Sequence, residues 1–310
     1  WEHVTLDNPN IGAQNAIPGL EVISPTWFNL MDANGGMANR ASAAYVESAH
    51  RKGYRVWGLV SNSFNASMTS ALFKNARAMN LFMARLIIYA KLYGLDGVNI
   101  DFEGMNETDR AQFVRFVARI SELLRPEGLT LSVDVFIPAN TKSSRSHDRG
   151  ELAKYADYIM LMAYDEHWRT SPRAGSVASM PWVTKAVEGT LAEGVPASKL
   201  VLGVPFYMRR WEETKSGEGV KVKGYTLTMA EAEELSAKRG APMQWLETQG
   251  QHYFTYVANG KVQKVWVENA ASIERKLSLV GKYGLAGMAG WRKGHEKPEV
   301  WRTISSIMGK

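Results

Sequence analysis

The chain has 310 residues, 45% of them hydrophobic and 22% charged, a composition that excludes collagen-like, disordered and disulfide-stapled proteins. The 37 Lys and Arg against 31 Asp and Glu leave a formal charge of +6, without the dense basic stripe interleaved with aromatics that marks a nucleic-acid binder, so no nucleic-acid partner is expected. With no cysteine in the chain, disulfides, thiolate metal sites and cysteine nucleophiles are all removed.

Short β-branched or apolar runs alternate with longer helical patterns, which is the mark of βα units around a parallel sheet. The predicted strands, in chain order, are 1–4, 21–27, 54–61, 97–103, 130–136, 158–164, 200–207 and 287–291. The intervening segments carry helix punctuation. Asn106 is placed to cap the run from Glu107, Pro181 sits in a first turn behind Ser179, and Gly94, Gly128, Gly194 and Gly284 follow helical patterns. The most apolar stretch, 79–92, is interrupted by Arg85 and Lys91 and has amphipathic spacing, so it reads as a core-facing helix and no membrane span is expected. The sequence opens at Trp1 with neither an initiator Met nor a leader pattern, and upstream residues are expected to have been removed.

Eight strands with helical crossovers close most economically into an α/β fold of the (β/α)8 TIM-barrel type. One interval breaks the rhythm between the seventh strand and the helix near Asn269, and it needs structure of its own. Thr228 to Glu231 has capping-box spacing, and 251–257 with 261–267 read as a hairpin around Asn259-Gly260. The expected organisation is a catalytic barrel of residues 1–208 and 267–310, with a small α+β insertion at 209–266 after the seventh strand.

The run LDGVNIDFEG, 95–104, carries the chemistry. Strand period two puts Asn99, Asp101 and Glu103 on one face and Val98, Ile100 and Phe102 on the other. In a parallel barrel the polar face points at the axis, with Glu103 at the end where active sites are built. Two carboxylates so close repel, and one holds its proton near neutral pH, as a general acid must. The bland alternative is a solvated strand end or a lysine pair, but burying three polar side chains without a purpose is expensive. A magnesium site needs further carboxylates, and Asp165 alone stands near another strand end, so no metal and no cofactor are expected. His167 has no second His nearby and is not read as a metal ligand.

These motifs resemble glycoside hydrolase family 18, the chitinase-like retaining enzymes. The family pattern D-G-x-D-x-D-x-E is met by Asp96-Gly97-Val98-Asn99-Ile100-Asp101-Phe102-Glu103 except at Asn99. Its M-x-Y-D appears as Met162-Ala163-Tyr164-Asp165, and its last-strand Trp as Trp291. Within the family the resemblance is to bacterial cell-wall and spore-cortex N-acetylglucosaminidases, through ISPTWFNL at 23–30, VSNSF at 60–64 and AYDEHW at 163–168.

The resemblance implies an enzyme that cleaves N-acetylglucosamine linkages of peptidoglycan, with the substrate's own acetamide as nucleophile. Glu103 would be the acid and base, Asp101 would hold the acetamide, Tyr164 would donate to its oxygen, and Asn99 would complete the catalytic set. Asp165, Trp291, Trp27, Tyr207, Trp168, Asn62 and Glu166 are the expected sugar contacts. Asn99 in place of Asp removes an ionisable partner of Asp101, so a simpler titration is expected. The family's S-x-G-G appears as Ser61-Asn62-Ser63-Phe64. The partner expected is an N-acetylglucosamine-containing glycan, the protein a monomer, and the location outside the cytoplasm, where peptidoglycan lies. Two other readings are a chitinase acting on chitooligosaccharides and a non-catalytic, lectin-like barrel; the retained Glu103 favours an enzyme.

Overall fold

The computed structural model describes residues 1–217 and 219–309. The chain forms two compact units, one of Trp1–Met162 with Gly189–Val201, the other of Ala163–Glu188 with the chain from Leu202 onward.

The first unit contains β1 (Val22–Ile23), β2 (Thr26–Leu30), β3 (Met37–Asn39), β4 (Arg55–Ser61), β5 (Gly97–Asp101), β6 (Thr130–Phe136) and β7 (Tyr158–Met162). Strands β2, β4, β5, β6 and β7 pair in parallel in that order, with β3 antiparallel on β2 and β1 beside β4. Helices at Ala43–Arg51, Ala66–Lys74, Ala76–Tyr93 and Arg110–Leu124 fall between the parallel strands. All five residues of β5 are buried, as expected of a parallel strand covered on both faces. The long helix ends at Gly94, whose φ of 66° is the left-handed terminal conformation that lets the chain turn into β5. Behind β5 lies an aromatic cluster. Phe102 is fully buried, its ring stacked 5.3 Å from Phe116 and 5.8 Å from Phe113, and this packing anchors the backbone just ahead of Glu103.

Three sequence expectations are corrected in this unit. Residues 1–4 form no strand; they contribute a bridge from Glu2 to Pro25. The strand expected at 21–27 is divided between β1 and β2 at Ser24-Pro25, because proline has no N–H to give a ladder. Asn106 does not cap its helix through its side chain. Its amide donates to the Ser70 hydroxyl at 3.0 Å instead, and a short 3-10 turn at Glu107–Asp109 leads into the helix.

The second unit holds a five-stranded antiparallel sheet. Its strands are β9 (Tyr207–Ser216), β10 (Gly219–Thr228), β11 (Gln244–Leu246), β12 (Gln251–Ala258) and β13 (Lys261–Val267), in spatial order β10-β9-β13-β12-β11. The strand β8 (Leu200–Pro205) precedes this sheet, and β14 (Gly287–Trp291) follows it. The β12–β13 turn has positive φ at both Asn259 and Gly260, the geometry that matches strand twist in a tight hairpin. The helix Met229–Arg239 opens on a complete capping box between Thr228 and Glu231. The helix Ala270–Tyr283 packs through Lys276, buried against Glu268 at 2.8 Å with exposures of 1% and 0%. Gln251 and Ser272 also donate to that carboxylate, so both of its oxygens are hydrogen-bonded.

Candidate active site

In the first unit β5 presents Asn99 and Asp101 in alternation with Val98 and Ile100, all of them buried, and Glu103 lies half-buried two residues past the strand end. Asp101 hydrogen-bonds the Glu103 side chain, and burial pushes its carboxyl up to about 7 against the opposing effect of that bond. Its Oδ1 is buried without a hydrogen-bond partner. Asp101 thus keeps its proton toward neutral pH within hydrogen-bond reach of Glu103.

Asn62, expected to touch sugar, is fully buried and does something else. Its Nδ2 donates to the Glu103 carbonyl at 2.8 Å, and its Oδ1 accepts the Glu103 N–H at 3.0 Å. This pair of bonds imitates a strand partner where β5 has run out, and Thr69 Oγ1 at 2.9 Å holds the amide from behind. Asn62 therefore fixes the main chain at Glu103. Asn62→Ala is expected to lower kcat about tenfold with KM nearly unchanged, since loosening a reacting group costs positioning more than binding; steady-state kinetics on a soluble oligosaccharide checks it.

Asn99 is also not a contact for substrate. It is 1% exposed, its Nδ2 donates to Asp134 Oδ1 at 2.9 Å, and its Oδ1 accepts from Trp1 Nε1 at 3.0 Å and Ser24 Oγ at 3.1 Å. Trp1 Nε1 also donates to Asp134 Oδ2 at 3.1 Å. Asp134 was missed in the sequence, although Ser132 and Asp134 alternate with Leu131, Val133 and Val135 on β6 just as the polar residues do on β5. Burial, and next the charge of Asp101, push the Asp134 carboxyl well above the usual range. A carboxyl absent at position 99 is thus present on the neighbouring strand.

Trp27, another expected sugar contact, is fully buried in this unit. Its indole donates to Asn8, and its ring meets Tyr45 edge-on at 5.2 Å, which leaves no face for a sugar.

In the second unit the segment after Met162 carries Tyr164, Asp165, Glu166 and Trp168. Asp165 has a φ of +62°, a left-handed conformation that costs a non-glycine residue and persists where the surroundings enforce it. Its Oδ1 accepts from Tyr207 Oη and from Arg209 Nη2, each at 2.6 Å. Arg209 is 6% exposed, lies 5.2 Å over the Tyr207 ring and donates to Thr226 Oγ1 at 2.9 Å. Tyr207 is thus a brace for Asp165 and offers no open face; burial, then the Asp165 charge, hold its phenol protonated. Arg209 was missed, yet strand periodicity on β9 puts it on the same face as Tyr207.

Tyr164 is half-buried and meets Tyr207 edge-on at 6.4 Å. Glu166 is half-buried and accepts from the Ser179 N–H at 2.8 Å through Oε2, which ties it to the loop. The His167 ring accepts or donates at Ser176 O, 2.8 Å away, and a Cβ at Gly175 would meet that ring at 2.3 Å, so only glycine fits there. Trp168 is 52% exposed and Trp291 half-buried at the end of β14; both keep surface that a sugar face can cover. Among the described residues no group of three His, Cys, Asp or Glu is arranged to hold a metal ion.

A carboxyl hydrogen-bonded to a buried carboxyl at the end of a parallel strand is an arrangement that suits glycoside hydrolysis. The model of the family "Glycosyl hydrolases family 18" matches residues 50–295, and the chain belongs to that family. It accordingly has the family's (β/α)8 TIM-barrel-like α/β fold, with a separate antiparallel sheet. The chain is 28% identical over 288 residues to the glycosylase YvbX of Bacillus subtilis (strain 168), covering 88% of this chain and 80% of that protein. It is 25% identical over 255 residues to a cortical fragment-lytic enzyme of Bacillus anthracis, covering 80% of this chain but spanning only 58% of the relative's length. The crystal structure of a chitinase from Chromobacterium violaceum ATCC 12472 superposes with a TM-score of 0.84 at 26% identity, covering 94% of this chain and 92% of that one.

Proposed function

We propose that the chain is a retaining N-acetylglucosaminidase that cleaves bacterial peptidoglycan, of cell wall or spore cortex, outside the cytoplasm. The Glu103 carboxyl, clamped through its main chain by Asn62 and hydrogen-bonded to buried Asp101, carries this reading. Glu103 protonates the glycosidic oxygen as the 2-acetamido oxygen of the same sugar attacks the anomeric carbon. The leaving sugar departs with the proton, and the bound sugar becomes a cyclic oxazolinium. Asp101 holds the acetamide N–H and offsets the cation's charge. Glu103, now a carboxylate, takes a proton from water as that water opens the ring, so the anomeric configuration is retained. In this scheme Tyr164 donates its hydroxyl to the acetamide oxygen, Asp165 is held for the same sugar by Arg209 and Tyr207, Trp291 lies under the ring, and Trp168 stacks on a further sugar.

Similarity to a cortical fragment-lytic enzyme supports peptidoglycan as substrate. A chitooligosaccharide is the second reading, supported by similarity to a bacterial chitinase, and its acetamide chemistry is the same. Mass analysis of digests of purified peptidoglycan and of chitooligosaccharides decides between them. Muropeptides newly ending in reducing N-acetylglucosamine, with little release from chitooligosaccharides, are expected; the opposite preference assigns chitin, and no cleavage of either overturns the hydrolase reading.

A further inference from the structure

We propose that Asp134 is a positioning residue for the hydrolytic reaction, a second buried carboxyl that shares negative charge with Asp101 and stands in for the one absent at Asn99. This rests on the glycosidase reading above and extends it to a residue on a different strand.

The placement is specific. Asp134 is 2% exposed, Asp101 8% and Asn99 1%, and β5 and β6 are paired in parallel with Asn99 opposite Ser132 and Ile100 opposite Val133. Continuing that register sets Asp134 beside Asp101, on the same side of the sheet. Neither carboxyl forms an ion pair with a Lys or Arg side chain among the described residues. The charged group facing Asp134 is Asp101 on β5, and Asp101 faces Glu103 in turn. Two carboxyls buried this closely do not both ionise, since each charge raises the cost of the other.

Hydrogen bonds hold both oxygens of Asp134. Asn99 donates to one of its oxygens and Trp1 to the other, while Ser24 and Trp1 fix the Asn99 amide in the orientation that makes this possible. Asp101 Oδ1, by contrast, has no hydrogen bond. One member of the pair is thus tied down and the other has a free oxygen. Such a pair takes up a single charge more readily than a lone buried carboxyl, because either member can hold it. The charge that must stand opposite the oxazolinium is then available at lower pH than burial of Asp101 alone would allow.

The test compares the full chain with D134N and with the swapped double variant N99D/D134N, which keeps one amide and one carboxyl but exchanges their strands. In D134N the acid limb of the kcat profile is expected to move to higher pH, with kcat at pH 5 lowered at least about fivefold and KM within about twofold. The pH dependence of chemical unfolding is expected to lose about one bound proton between pH 4 and 7. The swap is expected to restore both. Wild-type cleavage combined with an unmoved acid limb in D134N overturns the role of Asp134 alone, and so does a uniform loss of stability with an unchanged proton count. No cleavage by the wild-type chain overturns the hydrolase reading instead, while the unfolding titration still reads the pairing directly. Should D134N not fold, the double variant carries the comparison: activity with the wild-type limb supports the proposal, and a displaced limb overturns it.

Discussion

Replacing Glu103 with Gln is expected to lower turnover about 10³-fold, with the fold retained and binding of substrate little changed. Gln has nearly the same shape but carries no proton to give, and it is not a base for water, so both halves of the reaction lose the same group. The fold should tolerate it, because Asn62 holds residue 103 through its main-chain N–H and carbonyl and not through its carboxyl. Product release measured by mass spectrometry, with circular dichroism and calorimetric binding as controls, checks it. Turnover within tenfold of the wild type would show that another group is the acid.

Asp101→Asn is expected to lower kcat about 10²-fold while making the protein more stable above pH 7. The loss of rate follows because a neutral amide does not offset the oxazolinium charge. The gain in stability follows from linkage. Burial raises Asp101 from 3.8 to about 7, so between about pH 4 and 7 the folded chain holds a proton that the unfolded chain has released. Stability contributed by this group is lost as pH rises through that window, and above it a constant cost remains, on the order of a few kcal/mol. Asn does not ionise and removes that slope. Urea unfolding of both proteins from pH 4 to 8 should show the curves diverge with rising pH, with the variant ahead at the alkaline end. Parallel curves would mean that Asp101 is not held protonated by burial. A residue that costs stability and supports rate is the pattern expected of an active-site carboxyl.

Both results bear on the same few residues, and these differ in how visible they are in sequence. Asn99, Asp101 and Glu103 are legible because strand alternation is strictly local: once 97–103 is read as a strand, the facing of each side chain follows. The same holds for the βα rhythm, the capping box at Thr228 and the Asn259-Gly260 turn, each of which depends on neighbours within a few residues. Asp134 and Arg209 show the same alternation on β6 and β9, but a polar residue on one face acquires meaning only from what another strand sets beside it. Asn62 illustrates the converse. Its place in a loop next to the expected site suggests a sugar contact, and nothing local indicates that its amide is spent on the backbone of a residue 41 positions away.

Aromatic residues divide in the same way. Trp27 and Trp168 both stand near predicted strand ends, yet the first is fully buried and the second 52% exposed. Tyr207 looks like a stacking residue until Arg209 is seen over its ring and Asp165 on its hydroxyl. The class of fold, the neighbouring carboxyls of Asp101 and Glu103, and the family were readable from the amino-acid order, because they rest on short-range periodicity and on compact motifs. The division of roles among the surrounding polar and aromatic side chains emerged from the folded chain, because burial and hydrogen-bond partnership depend on residues far apart in sequence and packed against one another.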